Sequence, residues 1–163
     1  MRSGVVDLDH PENALVLRRL ARSGRGAAPD LAPDEVADQR GLGVHPDLMY
    51  DFWNILTEGI PDAKRCARVV YGKPVLASPV SGVIFGFAGG THTVAFRLPP
   101  ADRDAALAAG ATRILHFRAH PEIDIPASTD DITELGEAWV FCDAAGDKKR
   151  WCAAARAFAD VAA

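Results

Sequence analysis

The feature that most constrains the fold is a series of four short apolar runs between residues 65 and 98. These runs are rich in Val, Phe and Ile and are separated by Gly, Pro and Ser. Runs of this length and composition, with turn residues between them, are typical of β-strands joined by tight turns. The sequence therefore predicts an antiparallel meander built from CARVVYG, PVLASP, GVIFGFA and HTVAFRL.

Further elements follow the meander. A helix is predicted from about Ala101 to Ala109, and a strand, TRILHFR, follows it. A last strand, EAWVFCD, precedes a terminal helix from about Asp147 to Val161. We expect an α+β domain with an antiparallel sheet of five or six strands and helices packed mainly on one face. Its core is expected to contain Val69, Val75, Phe85, Phe87, Val94, Phe96, Leu115, Trp139, Phe141, Trp151 and Phe158.

The first forty residues have a different character. Asp9 and Glu12 fit the N-cap and capping-box positions of a first helix. Residues 23–34 then carry two glycines and two prolines without periodicity, which predicts a loop or hinge. We expect residues 1–40 to form an N-terminal arm and residues 41–163 to form the α+β domain, whose own first helix runs from about Pro46 to Glu58.

Composition limits the class of protein. The 163 residues are 48% hydrophobic and can bury a core without disulfides. The three cysteines are widely spaced outside any CxxC pair, which predicts buried thiols. A formal net charge of -4 disfavours nucleic acid and anionic membranes as partners. Acids replace the apolar run of a signal peptide, and no stretch approaches the ~20 apolar residues of a membrane span, so we expect a cytoplasmic protein.

The stretch GFAGGTH presents a choice between a phosphate-binding loop and a hairpin turn. A phosphate loop leads into a helix, whereas these glycines lie between two strand patterns, so a two-residue turn at Gly89-Gly90 is predicted. That turn pairs Phe85 with Val94 and makes one face of the hairpin apolar. The opposite face either packs closely against a helix or meets solvent, or it forms the floor of a shallow ligand groove. The floor would consist of Gly86, Ala88, Thr93 and Ala95.

Several residues could bind a ligand at or near this groove. Tyr71 and Lys73 occupy the strand turn YGKP, and Arg97 would project from the small-residue face as a donor to anions. His116 and His120 have carboxylates nearby, but their spacing in a strand-like stretch does not predict a metal site. The predicted ligand-binding residues are Tyr71, Lys73, Arg97, His116 and His120, with neither metal nor cofactor expected.

Charge is distributed unevenly in the C-terminal part of the chain. Residues 121–137 contain six acids and no Lys or Arg. Lys148, Lys149 and Arg150 follow in the first turn of the last helix, where positive charge opposes the helix dipole. Either the acidic segment folds back and neutralises these cations, or the cations bind an external anion or acidic partner. The acidic segment itself would suit a basic protein surface.

The sequence contains no complete catalytic signature such as GxSxG, HExxH or a Rossmann fingerprint. Cys142 lies on a predicted strand with no histidine close in sequence, although a distant base could meet it in space. The residues therefore favour a non-catalytic binding or interaction module for an anionic small molecule or a protein partner. An enzyme of unknown class that uses His116 and His120, or Cys142, is the alternative.

Four segments occur in a characteristic order, namely VVYGKPVLASP, VIFGFAGG, AFRLPPADRDAALAAGA and GEAWVFCD. In this order they resemble the motifs of the YjbR-like family, and the resemblance covers about residues 65–160. It implies a compact α+β domain and a DNA-binding role suggested for the family on grounds of fold. If nucleic acid is the ligand, four cations should lie on one face of the domain. They are Arg65, Arg68, Lys73 and Arg97.

Overall fold

The computed structural model describes residues 5–23, 29–36, 51–55, 57–58, 60, 62–88, 93–113, 135–143 and 147–162. The helices within these ranges are α1 (Ala14–Ser23), α2 (Ala63–Cys66), α3 (Pro100–Ala108) and α4 (Lys148–Asp160). The strands are β1 (Ala67–Val70), β2 (Lys73–Ala77), β3 (Ile84–Ala88), β4 (Thr93–Arg97) and β5 (Trp139–Asp143). Short 3₁₀ turns span Pro11–Asn13 and Pro33–Glu35, and a π-helical turn spans Asp51–Ile55.

The five strands form one antiparallel sheet in the order β1-β2-β3-β4-β5. The predicted α+β meander is therefore confirmed. A single antiparallel bridge borders each outer strand, between Leu31 and Val69 at β1 and between Thr112 and Phe141 at β5. The rest of the strand predicted from Thr112 onwards, residues 114–118, lies outside the described residues.

The helices lie mainly on one face of the sheet, as predicted. Neighbouring side chains along a strand point to opposite faces, so Val75 and Leu76 identify the two sides. Leu76 belongs to a core cluster with Ala106 of α3 and Trp151 of α4. Val75 belongs to a second cluster that α1 covers with Val16 and Leu20. The sheet is therefore buried on both faces, because α1 packs against the side that α3 and α4 leave open.

The predicted register of the β3–β4 hairpin is wrong. Ala88 pairs with Val94 and Gly86 with Phe96, so the connection is longer than a two-residue turn at Gly89-Gly90. A Cβ at Gly86 would lie 3.3 Å from Cδ1 of Phe96. The missing side chain of Gly86 thus leaves room for the Phe96 ring beside it, an aromatic–glycine pairing that stabilises this register.

A β-bulge at Phe85 explains a second departure from the predicted pattern. Leu76 pairs with Gly86 and Ala77 pairs with Ile84, so β3 carries one extra residue opposite β2. Simple alternation places Phe85 and Phe87 on one face, but they belong to the two different core clusters. The bulge lets both phenylalanines be buried, one against each layer of helices.

The N-terminal segment contributes to the core. Val6 and Val16 are buried, and the fully buried side chain of Asn13 accepts from the Ile84 amide and donates to the carbonyl of Gly82. Asp9 is not the N-cap; His10 is, since its Nδ1 accepts from the amide of Glu12. The predicted boundary at residue 40, like most of the helix predicted from Pro46, lies outside the described residues.

The predicted core residues within the described ranges are buried, apart from a half-buried Phe158. Leu115 lies outside those ranges. Of the helices in the described part of the chain, none is long and apolar enough to cross a membrane.

Candidate functional site

The meander gives the sheet two distinct ends. The β1–β2 turn, the carboxyl end of β3 and the start of β4 lie at one end, and the pairing of Thr93 with Asp143 brings the end of β5 there as well. Because α4 begins at Lys148, five residues after Asp143, its N-terminus lies at this same end. We call this region the cationic end; its candidate binding residues are Tyr71, Lys73, Lys148, Lys149 and Arg150.

Tyr71 is the first residue of the two-residue turn between β1 and β2, and Lys73 directly follows that turn. Tyr71 has a φ of 49° and Gly72 a φ of 78°, the positive values that a type I′ hairpin turn requires. A tyrosine in the left-handed region costs about 1 kcal/mol or more, since its Cβ crowds the backbone. The side chains of Tyr71 and Lys73 are half-buried, and Tyr71 packs against the core cluster that α1 covers. The turn therefore keeps a strained aromatic residue next to a lysine.

The strain at Tyr71 can be separated from its packing with two substitutions. Tyr71→Asn and Tyr71→Ala both remove the ring, but asparagine tolerates positive φ far better than alanine. We expect the Asn variant to have a free energy of unfolding about 1 kcal/mol higher than the Ala variant, measured by urea denaturation. Equal stabilities would show that the turn relaxes to negative φ once the ring is removed.

The first turn of α4 carries three cations and no acid. The side chain of its N-cap, Asp147, makes no capping hydrogen bond, and the positive end of the helix dipole adds to the potential of the three cations. Lys149 Nζ lies 2.9 Å from Glu58 Oε2, but both side chains are more than half exposed, so this ion pair contributes little. The Arg150 guanidinium stacks 4.4 Å from the Trp151 ring centroid.

Arg97 lies at the opposite end of the sheet, at the last position of β4. Val75 pairs with Phe87, and Phe87 pairs with Ala95, so Val75 and Ala95 lie at the same level of the sheet. Lys73 lies two residues before Val75 and Arg97 lies two residues after Ala95. Arg97 is therefore four residues along the strands and two strands across from Lys73. Strand geometry makes this roughly 16 Å between Cα atoms. Arg97 is buried and its Nη2 donates to Glu12 Oε2 at 2.9 Å. The structure therefore brings Tyr71 and Lys73 together but not Arg97.

The predicted groove floor is not assembled either. Gly86 and Ala88 pair with Phe96 and Val94, whose side chains face α4, whereas Ala95 belongs to the cluster on the opposite face. The small residues that were expected to share a face are thus divided between the two sides of the sheet.

Two of the predicted ligand residues, His116 and His120, lie outside the described residues, as does the acidic stretch 121–134. His10 is described and is engaged within the fold. Its Nδ1 accepts from the Glu12 amide, so Nε2 carries the proton and donates to the carbonyl of Ala162 at 3.0 Å. Within the described ranges, no cluster of three or more His, Cys, Asp or Glu residues could hold a metal ion.

The three cysteines are free and buried, as predicted. Burial raises the pKa of Cys142 to about 12 and is also the main cause that raises the pKa of Cys152 to about 12 and of Cys66 to about 11. The Sγ of Cys66 also accepts from Arg156 Nη1 at 2.7 Å. Since the thiolate is the reactive form of cysteine, these three thiols are poor nucleophiles at neutral pH.

These pKa values predict a loss of stability in alkali. The buried thiols stay protonated in the folded chain, while the unfolded chain ionises near the ordinary pKa of 9.0. The contribution of these neutral thiols to the free energy of unfolding is fully present below pH 9. It is lost as the pH rises towards 12, at about 1.4 kcal/mol per pH unit for each thiol. We expect the free energy of unfolding of Cys142→Ala to fall less steeply than that of the wild type between pH 9 and 11. If the wild type and Cys142→Ala lost stability in parallel over this pH range, the raised pKa of Cys142 would be contradicted.

Several residues that fix the end of the sheet opposite the cationic end had no local signal in the sequence. Glu12 and Asp30 are the carboxylates that neutralise Arg97 and Arg68, from positions 85 and 38 residues away along the chain. A buried asparagine, Asn13, holds the N-terminal segment on the sheet. Only the tertiary structure brings these partners together.

In comparisons with known proteins, no protein-family model, no curated protein and no solved structure matches this chain.

Proposed function

We propose that this chain is a cytoplasmic, non-catalytic binding module whose cationic end binds an anionic partner, either a small molecule or an acidic protein segment. The observation that carries the proposal is the first turn of α4, where Lys148, Lys149 and Arg150 follow an N-cap, Asp147, whose side chain makes no capping hydrogen bond. Cations at this position oppose the helix dipole, at about 0.3–1 kcal/mol each when exposed. A bound anion would offset that cost by neutralising the three cations.

The other half of the cationic end adds to this argument. Tyr71 and Lys73 lie at the same end of the sheet, and the left-handed backbone of Tyr71 costs stability. Strained residues that persist in a fold often serve binding. The Tyr71 ring would contact an apolar part of the partner, and the Lys73 ammonium would attract its negative charge.

The absence of catalysis in this proposal rests on the thiols. Cys142, the candidate nucleophile, is buried with a raised pKa. Free cysteines at all three positions suit a reducing cytoplasm. Catalysis by His116 and His120 stays a prediction, since both lie outside the described residues.

A nucleic-acid-binding role, which the YjbR-like resemblance implies, is the less supported candidate. Of the four cations expected on one face, Arg68 and Arg97 are buried and paired with carboxylates. Arg65 is exposed on α2, which precedes β1 at the end of the sheet opposite Lys73. The four residues therefore offer no continuous surface for phosphates.

Charge reversal at the start of α4 tests the proposal. Pyrophosphate and an oligo-glutamate peptide serve as probes for a small anion and an acidic segment, and calorimetry measures their affinity. We expect Lys148→Glu with Lys149→Glu to weaken binding of at least one probe by about tenfold or more, since two attractive charges become repulsive. Acids at a helix N-terminus favour the helix, so lost binding would not reflect an unfolded α4.

The matched control is Lys64→Glu with Arg65→Glu. These exposed residues lie on α2 at the other end of the sheet, and their reversal changes the net charge by the same amount. We expect this variant to keep wild-type affinity within about threefold, because its charges are more than a Debye length from the cationic end. Equal losses in both double variants, or no binding of either probe to the wild type, would refute the proposed site.

A further inference from the structure

Two buried arginines hold the N-terminal segment to the sheet, but they are neutralised differently. Arg68 Nε donates to Asp30 Oδ1 at 2.6 Å, and Asp30 Oδ2 also accepts from the amides of Val5 and Val6. The Asp30 side chain is only 8% exposed. This pair is closed, because every part of the carboxylate is bound inside the protein.

The Arg97 pair is open by comparison. The Arg97 side chain is 7% exposed, whereas its partner Glu12 is 52% exposed and holds the guanidinium through Nη2 alone. Nη1 of Arg97 is buried and has no hydrogen-bond partner among the described residues. A buried guanidinium nitrogen without an acceptor is costly, so this pair leaves part of a strong anion-binding group unused.

The surroundings of Arg97 restrict what could use that group. The Phe158 ring centroid lies 4.3 Å from the guanidinium carbon and covers one face of the plane. Because guanidinium N–H groups donate within the plane of the group, a ligand would bind at the edge that carries Nη1 and Nη2. A planar carboxylate has the geometry for two parallel hydrogen bonds at such an edge.

Glu12 can leave Arg97 without disturbing the backbone. The next residue, Asn13, is fully buried and bonds the carbonyls of Asp7 and Gly82 and the amide of Ile84. On the other side, His10 is held by Ala162. Rotation of the half-exposed Glu12 side chain into solvent is therefore enough to uncover Nη2.

We propose that Arg97 anchors a second anion site, distinct from the cationic end, where a small organic carboxylate replaces Glu12 and accepts from both Nη2 and Nη1. Glu12 acts as an internal substitute for the ligand and protects the buried guanidinium when the ligand is absent. Its single hydrogen bond to Arg97 makes the exchange favourable for a ligand that forms two.

The test is a titration of the full chain with sodium acetate, with sodium chloride at the same ionic strength as reference. The Nε–Hε signals of Arg97 and Arg68 are followed by NMR in the wild type, in Glu12→Gln and in Asp30→Asn. We expect a saturable acetate shift at Arg97 in the wild type. Glu12→Gln should bind acetate about tenfold more tightly, since a competing and repelling charge is removed while the fold keeps a polar partner for Nη2.

Arg68 and Asp30 serve as the control pair, which should not respond. Arg68 should not respond to acetate in any variant, and Asp30→Asn should leave the Arg97 response unchanged. Acetate binding to Glu12→Gln without any saturable response in the wild type would mean that Glu12 is a permanent structural partner, and it would overturn the proposal. Equal acetate affinities in the wild type and Glu12→Gln would overturn it as well.

Discussion

Gly82→Ala is expected to lower the free energy of unfolding by about 3 kcal/mol or more. Gly82 has a φ of 77°, which strains any side chain. An added Cβ would also lie 2.7 Å from both the Cβ and the backbone nitrogen of Asp7. Because Asp7 donates to the Gly82 carbonyl, the clash would push the N-terminal segment off the turn between β2 and β3. Urea denaturation measures the loss.

Gly110→Ala is the matched control for this prediction. Gly110 also has a positive φ, 108°, but an added Cβ would have nothing within 4 Å. We expect this variant to lose only about 1 kcal/mol, the cost of the backbone strain without a clash. If the two variants lost equal stability, the close approach between Gly82 and Asp7 would not explain the loss in free energy of unfolding.

Asn13→Ala is expected to cost about 3 kcal/mol, since it leaves buried backbone groups without partners. The Asn13 side chain is fully buried, accepts from the Ile84 amide at 2.8 Å and donates to the carbonyls of Asp7 and Gly82. None of these three partners lies on the same helix turn, so the substitution should loosen the contact between α1 and β3. Hydrogen exchange at the Ile84 amide should accelerate together with the loss of stability.

Asp9→Ala provides the comparison, because Asp9 is exposed in the same segment and its side chain makes no capping hydrogen bond. We expect its stability to stay within about 0.5 kcal/mol of the wild type, as for most surface substitutions. A loss at Asp9 as large as that at Asn13 would contradict the assignment of His10 as the N-cap.

Much of the architecture could be predicted from local patterns. The strands, α3 and α4 follow from apolar runs bounded by turn residues, and the order of β1 to β4 follows from their short connections. The register of β3 with β4 could not be predicted, because it depends on the fit of the Phe96 ring over Gly86 rather than on the glycines of the turn. The bulge at Phe85 likewise satisfies two core layers at once, which no alternation within a single strand reveals.

The candidate binding residues could likewise be predicted only in part. Lys73 and the cations of α4 could be predicted because a turn motif and a charge run mark them locally, and the meander brings them to one end of the sheet. Arg97 was expected on the same surface, but its position depends on the register and its partner Glu12 is 85 residues away along the chain. Pairing of a buried arginine is a tertiary property, so the sequence indicated the anion-binding group but not its surroundings.

Chemical-shift mapping is the most direct measurement of whether the cationic end binds anions. The backbone amides of the ¹⁵N-labelled chain would be followed during titration with pyrophosphate and with an oligo-glutamate peptide. We predict that the largest saturable shifts fall at the first turn of α4, residues 148–150, and at the β1–β2 turn, residues 71–73, and that added salt reduces them. Shifts confined to other parts of the chain, or no saturable shift with either probe, would contradict a binding module built on this end of the sheet.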